Sequence, residues 1–338
     1  MFIEKAIKKL SVKENLSDEC AYGAMNEIME GIATPVEIAA FLTALRLKGE
    51  TTEEIYSCSR VLREKCLRVK CREENIVDTC GTGGDGGNTF NISTAAMFIA
   101  AGAGVKVAKH GNRSITSKSG AADVLEGLGA EIYTPPEVVE RCIEEVGVGF
   151  MFAPMYHSSM KHAMSVRREL GFRTIFNVLG PLTNPAASKR QLLGVFDKNL
   201  VLKMAEVLNR LGTKHAMVVH GFDGLDEITL TGNTYVAEVM DGDITEYTIK
   251  PEDFGLTPCL PYDIKGGGPE ENARIIKGIL SGEEGAKADI AKLNAGAAIY
   301  VGGGAKSLKE GIEKAKESVK ERRALAVLNN FIEKTKVV

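Results

Sequence analysis

The chain has 338 residues, 44% of them apolar and 26% charged, which is enough apolar surface to bury a full core in roughly two domains. Its 42 basic and 45 acidic side chains give a net charge of -3, so no sequence-wide positive field favours nucleic acid as a partner. Seven irregularly spaced cysteines, a polar N-terminus and the lack of an apolar run of about 18 residues predict a cytoplasmic protein with reduced thiols and no membrane contact.

Residues 1 to about 70 carry only helical signals. At Thr34 and again at Thr51, a hydroxyl residue that can cap a helix is followed three positions later by a glutamate that can reach back. Apolar residues at helical spacing follow both sites. The sequence therefore predicts a small helical domain over residues 1–70, and a helical piece within about 155–185 is expected to pack against it.

After residue 70 the pattern changes. Short apolar runs, such as 105–108, 148–152 and 216–219, alternate with helical stretches separated by glycines, which is typical of a mainly parallel sheet flanked by helices. Residues 227–250 alternate as antiparallel strands do. The last 70 residues read as helices with i,i+4 charge pairs, most simply a solvated helical face. The predicted fold class is α/β, with residues 71–338 forming the larger domain.

A glycine-rich loop at 81–87 lies between a short predicted strand and a helix that begins around 93–95. Glycines let backbone amides approach a ligand closely, and a helix N-terminus attracts anions, so phosphate or diphosphate is the expected ligand. Gly81, Gly83 and Gly86 also fit the dinucleotide pattern G-x-G-x-x-G. However, residues 87–90 lengthen the loop and the next strand ends in Lys109 and His110 instead of an acid, which argues against an oxidoreductase.

The run at 109–117 adds a cation, amides and hydroxyls that can together surround a phosphate. Two anion-binding clusters at neighbouring strand ends imply a substrate with phosphate groups at both ends. In the alternative interpretation, these residues only turn the chain and cap the helix at 119–128. Single caps do not explain two adjacent polar clusters at the ends of strands.

A third cluster follows the predicted strand at 216–219. Asp223, Asp226 and Glu227 are crowded on one loop, where carboxylates repel unless a cation lies between them. Hard oxygen ligands beside a diphosphate favour magnesium, although an ordinary acidic turn has the same sequence pattern.

The segments GTGGD (81–85), KHGNR (109–113), GPLTNP (180–185) and HGFDGLDE (220–227), in this order, resemble the anthranilate phosphoribosyltransferase family, glycosyltransferase family 3, over nearly the whole chain. The resemblance implies an enzyme of tryptophan biosynthesis that transfers the phosphoribosyl group of 5-phosphoribosyl 1-diphosphate to the amine of anthranilate, with Mg²⁺ as cofactor. It also implies a cleft between the two domains and a homodimer formed through the helical one. The sequence leaves open whether a partner such as anthranilate synthase supplies anthranilate.

The resemblance also assigns the substrate-binding residues, which are Gly81, Gly84, Asp85, Thr89, Asn91, Ile92, Ser93, Thr94, Lys109, His110, Gly111, Asn112, Arg113, Ser114, Ile115, Thr116, Ser117 and Arg167. Gly81, Asn112 and Arg167 are implied to contact anthranilate. A guanidinium can pair with the substrate carboxylate, and Arg168 is the alternative to Arg167. His110 and His157 are candidates to flank the aromatic ring, or are structural.

Metal ligation is implied for Ser93, Asp226 and Glu227, and no residue is assigned as a catalytic acid or base. The sequence departs from the family pattern at Ala121, where the family often has a serine, while Thr116 keeps the hydroxyl at a second such position. Two other functions remain as alternatives. One is a pyrimidine nucleoside phosphorylase, which would need no diphosphate-bridging acid pair, and the other is a non-catalytic nucleic-acid-binding relative, which should be basic.

Overall fold

The computed structural model describes residues 1–71, 75–83, 86, 89–114 and 118–336. The N-terminal part consists of helices α1 (Phe2–Ser11), α2 (Asp18–Met29), α3 (Pro35–Lys48) and α4 (Thr52–Lys65). Both predicted capping boxes are present. Thr34 Oγ1 accepts from the amide of Glu37 at 3.3 Å and Thr51 Oγ1 from that of Glu54 at 3.2 Å. Each glutamate accepts the amide of its capping threonine at 2.8 Å, so α3 and α4 begin where the sequence predicts.

The rest of the described chain is built around one seven-stranded sheet. Its strands are β1 (Ile76–Gly81), β2 (Lys106–Gly111), β3 (Val148–Phe152), β4 (Arg190–Gly194), β5 (His215–Gly221), β6 (Thr234–Met240) and β7 (Asp243–Ile249). The helices of this part are α5 (Ile92–Gly102), α6 (Ala121–Leu128), α7 (Pro136–Glu145), α8 (Ala153–Tyr156), α9 (Lys161–Leu170), α10 (Phe176–Leu179), α11 (Leu200–Arg210), α12 (Pro269–Leu280), α13 (Ala286–Val301), α14 (Leu308–Lys320) and α15 (Arg323–Thr335).

The strand order is β3-β2-β1-β4-β5-β6-β7, and the first five strands are parallel. The predicted antiparallel pair is confirmed, because β6 pairs antiparallel with both β5 and β7. The mainly parallel α/β fold class is likewise confirmed. The sequence interpretation did not identify β4, which lies at the centre of the sheet between β1 and β5. Its carboxyl end, with those of β1, β2 and β5, forms the edge on which a ligand of a parallel sheet is expected to bind.

The C-terminal helices are less solvated than the sequence interpretation expects. The charged residues of α14 form exposed pairs, such as Lys314 with Glu310 at 2.9 Å. In contrast, α13 is buried around nearly its whole circumference and packs on α5 and α14. In α15, the Phe331 ring packs edge-on against Phe98 of α5, with 5.8 Å between ring centroids. These helices therefore complete the core on one side of the sheet.

The segment between β3 and β4 packs against the N-terminal helices. Ala163 and Val166 of α9 are buried in the same apolar cluster as Phe41 of α3, and α9 contacts both α2 and α3. The limits of the two domains stay a prediction. All seven cysteines are free thiols. Across the ranges described above, every helix is too short or too polar to cross a bilayer.

Candidate active site

One cavity lies at the carboxyl ends of the parallel strands, because the loops after these strands meet at the same edge of the sheet. The predicted site residues that line it are Gly81, Thr89, Asn91, Ile92, Ser93, Thr94, Lys109, His110, Gly111, Asn112, Arg113, Ser114, Asp226 and Glu227. Five others, Gly84, Asp85, Ile115, Thr116 and Ser117, lie outside the described residues.

Lys109 is a buried cation between β1 and the start of α5. Its Nζ donates to the carbonyl oxygen of Thr79 and, at 3.0 Å, to Oγ of Ser93, and the residue is only 2% exposed. Both acceptors are neutral oxygens, so its charge is still available to attract an anion in the cavity. Lys109 therefore places a positive charge beside the N-terminus of α5, where the helix dipole also favours an anion.

The acidic loop after β5 reaches the same place. Oδ2 of Asp226 accepts the amide of Gly83 at 2.7 Å, and Oε1 of Glu227 accepts the amide of Ser93 at 3.1 Å. These carboxylates thus lie beside the amides expected to bind an anion. The third acid, Asp223, does not line the cavity. It accepts the hydroxyl of Thr229 at 2.6 Å and so belongs to the turn itself.

Two glycines make room for Asp226. A Cβ on Gly81 would collide with the Asp226 carboxylate, and a Cβ on Gly194 would collide with the Asp226 carbonyl. Gly81 and Gly194 are paired at the ends of β1 and β4. Neither has a positive φ, so close packing and not backbone conformation requires glycine here. The sequence interpretation explained Gly81 by its ligand and did not identify Gly194.

Ser93, Asp226 and Glu227 offer a hydroxyl and two carboxylates, all hard oxygen donors, along one wall of the cavity. In the part of the chain that the structure describes, no three His, Cys, Asp or Glu side chains form a group able to hold a metal by themselves. Mg²⁺ usually keeps several waters and shares its remaining positions between one or two carboxylates and phosphate oxygens. The donor set therefore fits magnesium bound together with a phosphate ligand.

Two buried histidines pack together beside the end of β2. The ring centroids of His110 and His157 are 4.9 Å apart. Burial lowers the pKa of His110 to about 3, with a further contribution from His157, and burial lowers the pKa of His157 to about 4. Both imidazoles are therefore neutral at pH 7. Hydrogen bonds link the His110 ring to the backbone of Gly180 and the His157 ring to that of Thr183. Neither Nε2 has a partner among the described residues.

Arg167 and Arg168 differ in their surroundings. Arg168 is exposed, whereas Arg167 is partly buried, with its guanidinium 5.0 Å from the centroid of the Phe176 ring. Burial lowers the pKa of Arg167, and no carboxylate pairs with it among the described residues. A partly buried guanidinium without a counter-ion favours an anionic ligand. Arg167 does not line the cavity itself.

Arg113 and Asn91 are committed to other contacts. The Arg113 guanidinium pairs with Asp123 at 2.9 Å and with Glu126 at 2.5 Å, so a side-chain contact with phosphate would require these pairs to break. The Asn91 amide donates to the carbonyl of Ser119 at 3.0 Å and thereby ties the start of α5 to the start of α6. In this arrangement both side chains shape the cavity wall.

The cavity also has lining residues that the sequence interpretation did not assign to it. They include Arg173 and Asn177 from the segment before β4, Lys118 and Ser119 before α6, and Gly267 before α12. Arg173 places its guanidinium 4.2 Å from the centroid of the Phe196 ring, just beyond β4. Lys118 and Ser119 directly follow the run at 109–117, whereas local sequence patterns give no signal for Arg173, Asn177 and Gly267, which come from distant parts of the chain.

Two models of one protein family match most of this chain. The α/β domain model of a glycosyl transferase family matches residues 73–325, and the helical bundle domain model of that family matches residues 4–66. The anthranilate phosphoribosyltransferase of Acetivibrio thermocellus is 54% identical over 333 residues, which is 98% of this chain and 96% of the relative.

Two solved structures are also similar over nearly their whole length. The anthranilate phosphoribosyltransferase of Thermus thermophilus has a TM-score of 0.93 at 44% identity, covering 98% of this chain and 99% of that one. The enzyme of Saccharomyces cerevisiae in complex with PRPP and Mg has a TM-score of 0.91 at 31% identity, covering 99% and 98%.

Proposed function

This chain belongs to glycosyl transferase family 3, among the anthranilate phosphoribosyltransferases, and from that membership we propose that it transfers the phosphoribosyl group of 5-phosphoribosyl 1-diphosphate to the amine of anthranilate. The products are N-(5-phosphoribosyl)anthranilate and diphosphate, and the reaction belongs to tryptophan biosynthesis. The observation that carries the proposal is the meeting of Lys109, the N-terminus of α5 and the Asp226–Glu227 pair in one cavity.

The donor substrate lies along the ends of β1 and β2. Its phosphates bind beside the glycine loop and the N-terminus of α5, next to Lys109. As the bond between C1 of the ribose and the diphosphate oxygen breaks, positive charge develops on the sugar and negative charge on the leaving group, as in glycosidic cleavage. Lys109 and the fixed amides stabilise the departing diphosphate.

Magnesium is the proposed cofactor, held by Ser93, Asp226 and Glu227. When bound, it neutralises charge on the diphosphate and thereby assists its departure. The carboxylates themselves bind the cation and order the glycine loop through Gly83 and the start of α5 through Ser93. They are not proposed as acids or bases.

The acceptor binds on the side of His110, His157 and Arg167. The Arg167 guanidinium pairs with the anthranilate carboxylate, Gly81 and Asn112 contact the acceptor, and the neutral imidazoles flank the ring. The aromatic amine is weakly basic and neutral at pH 7, so correct placement against C1 is sufficient and no strong general base is needed.

The proposed assembly is a cytoplasmic homodimer formed through the helical domain. Ile32, Val36 and Leu47 of that domain are 52%, 78% and 77% exposed, and the proposed contact would cover them. The free thiols agree with a reducing compartment.

The function is tested by following anthranilate fluorescence with purified protein, 5-phosphoribosyl 1-diphosphate and magnesium, each omitted in turn. Fluorescence is expected to fall only when all three are present. Persistent fluorescence in the full mixture, or phosphate-dependent cleavage of a pyrimidine nucleoside in its place, would refute the proposal.

A further inference from the structure

Asp78 is a fully buried carboxylate in the middle of β1, below the cavity and outside the set of residues assigned to it. A carboxylate loses its hydration when it is buried, and this costs free energy unless neighbouring groups compensate. The partners of Asp78 therefore indicate why a charge is kept at this position.

The first set of partners links Asp78 to its neighbouring strands. Oδ1 accepts the backbone amide of His110 at 3.4 Å, and Oδ2 accepts Nε2 of Gln191 at 3.4 Å and Sγ of Cys80 at 3.6 Å. Asp78 and Gln191 are direct neighbours in the pairing of β1 with β4. The carboxylate thus connects β1 with the functional end of β2 and with the centre of β4.

The second set of contacts extends from Gln191 to the segment 180–184. Nε2 of Gln191 donates to the carbonyl of Pro181 at 2.6 Å, and Nδ2 of Asn184 donates to the carbonyl of Ala108 at 2.8 Å. This segment is the one whose backbone hydrogen-bonds to the rings of His110 and His157. A continuous buried network therefore runs from Asp78 to both imidazoles.

The charges around Asp78 agree with this arrangement. Burial raises the pKa of Asp78 to about 6, while a hydrogen bond from Asn184 and the charge of Lys109 act in the opposite direction. The two oxygens of Asp78 accept hydrogen bonds from three donors, which is the role of an ionised carboxylate.

From this network we propose that Asp78 is a positioning residue for the acceptor side of the site, which holds His110 and the segment 180–184 in the geometry that receives the aromatic amine. The inference rests on the proposed function, because the acceptor is taken to be anthranilate. Asp78 does not touch the substrate. Its effect passes directly to His110, and through Gln191 and Pro181 to the segment 180–184, whose backbone hydrogen-bonds to the His157 ring.

The test compares Asp78→Asn with the wild type. The substitution keeps the shape but puts an amide donor opposite a backbone amide or the Gln191 amide, so the network must rearrange. We expect the KM for anthranilate to rise by roughly tenfold, and the KM for 5-phosphoribosyl 1-diphosphate to change by less than about twofold. Gln191→Met, which removes the link to Pro181 and leaves Asp78 in place, should show the same asymmetry.

Glu54→Gln is the matched control. Glu54 is also a fully buried carboxylate that accepts backbone amides, from Leu16 at 2.9 Å and Thr51 at 2.8 Å, but it lies in the helical domain. This variant should lose stability and leave both KM values unchanged. If Asp78→Asn leaves the anthranilate KM at the wild-type value, or raises both KM values equally, the positioning role is wrong.

A second measurement does not depend on turnover. In ¹⁵N-histidine NMR spectra, Asp78→Asn should shift the imidazole resonances of His110 and His157, and Glu54→Gln should leave them unchanged. Unshifted imidazole resonances in Asp78→Asn would overturn the inference. Failure of the wild type to consume anthranilate would instead reject the proposed function, and the NMR comparison would still judge the positioning role.

Discussion

Single residues in this protein show their roles through the partners they have or lack. Among the described residues, Lys109 donates only to neutral acceptors and Arg167 has no counter-ion, while Asp226 and Glu227 accept backbone amides. Each of these conditions favours a charged ligand, because a buried or crowded charge is stabilised by an opposite one. The sequence was sufficient to select these residues as candidates for the site, but it could not predict their contacts.

Arg167→Ala should mainly impair acceptor binding. Loss of a charge-assisted pair with the carboxylate is expected to raise the KM for anthranilate by at least about tenfold, with little change in the KM of the donor. Steady-state kinetics with each substrate varied in turn measure this. Arg168→Ala is the matched control, since Arg168 is exposed on the same helix. A larger effect of Arg168→Ala would transfer the role to that residue.

The metal assignment is tested by Asp226→Asn combined with Glu227→Gln. Both changes keep side-chain size and remove negative charge, so turnover should fall by roughly a hundredfold or more while the fold persists. Initial rates over a magnesium titration, with circular dichroism as the check on folding, give the result. Asp223→Asn on the same loop should keep its magnesium dependence, because Asp223 holds the turn. An unaltered magnesium titration in the double variant would contradict the assignment.

The pKa of His157 predicts a pH dependence of stability. Its folded-state pKa is lowered by burial from 6.5 to about 4, so the unfolded chain takes up a proton first as pH falls. The free energy of unfolding is therefore unaffected by protonation of His157 above about pH 6.5 and falls progressively as pH decreases from there towards pH 4. Urea denaturation between pH 7 and pH 5 should show a flatter stability curve for His157→Gln than for the wild type. Parallel curves would mean that His157 titrates normally in the folded state.

At the scale of helices and strands, local sequence signals predict best where the cause is local. The capping boxes at Thr34 and Thr51 were recognisable because donor and acceptor are three residues apart. The central strand β4 was not, because its burial comes from β1 and β5, which are distant in sequence. The burial of α13 was missed for the same reason, since it depends on packing against α5.

Thr34→Ala tests the first capping box. Loss of the hydroxyl that accepts from Glu37 should lower the free energy of unfolding by about 1 kcal/mol. Activity should not change, because Thr34 is exposed and outside the cavity. Thr34→Ser, which keeps an acceptor, should retain most of the stability in urea denaturation. Equal losses in the two variants would show that the hydroxyl is not the cause.

At the scale of the whole molecule, the sequence predicted an α/β sheet with a helical N-terminal part, and the structure agrees. Residues from all three sequence clusters line one cavity, because the carboxyl ends of parallel strands share an edge. The remaining wall, with Arg173 and Gly267, could not be predicted, since it is assembled from segments that no local pattern connects.

If the protein is a homodimer formed through the helical domain, charged substitutions on that domain should dissociate it into monomers. Val36→Glu and Leu47→Glu place carboxylates on exposed aliphatic positions, and a charge buried at an interface is strongly unfavourable. Light scattering should find a dimer for the wild type and a monomer for the double variant. Leu260→Glu, at a position 69% exposed in the other domain, should remain dimeric. A monomeric wild type would exclude this assembly.

The packing of α15 against α5 has a consequence for how the protein is made. Phe331 covers Phe98, and the Thr335 hydroxyl accepts the amide of Glu131, 204 positions earlier. During synthesis, the apolar face of α5 therefore stays uncovered until α15 has been translated near the end of the chain. Helices α1–α4 can associate with one another much earlier. A chaperone that shields nascent chains should therefore bind the stretch around α5 and release it only after α15 has emerged.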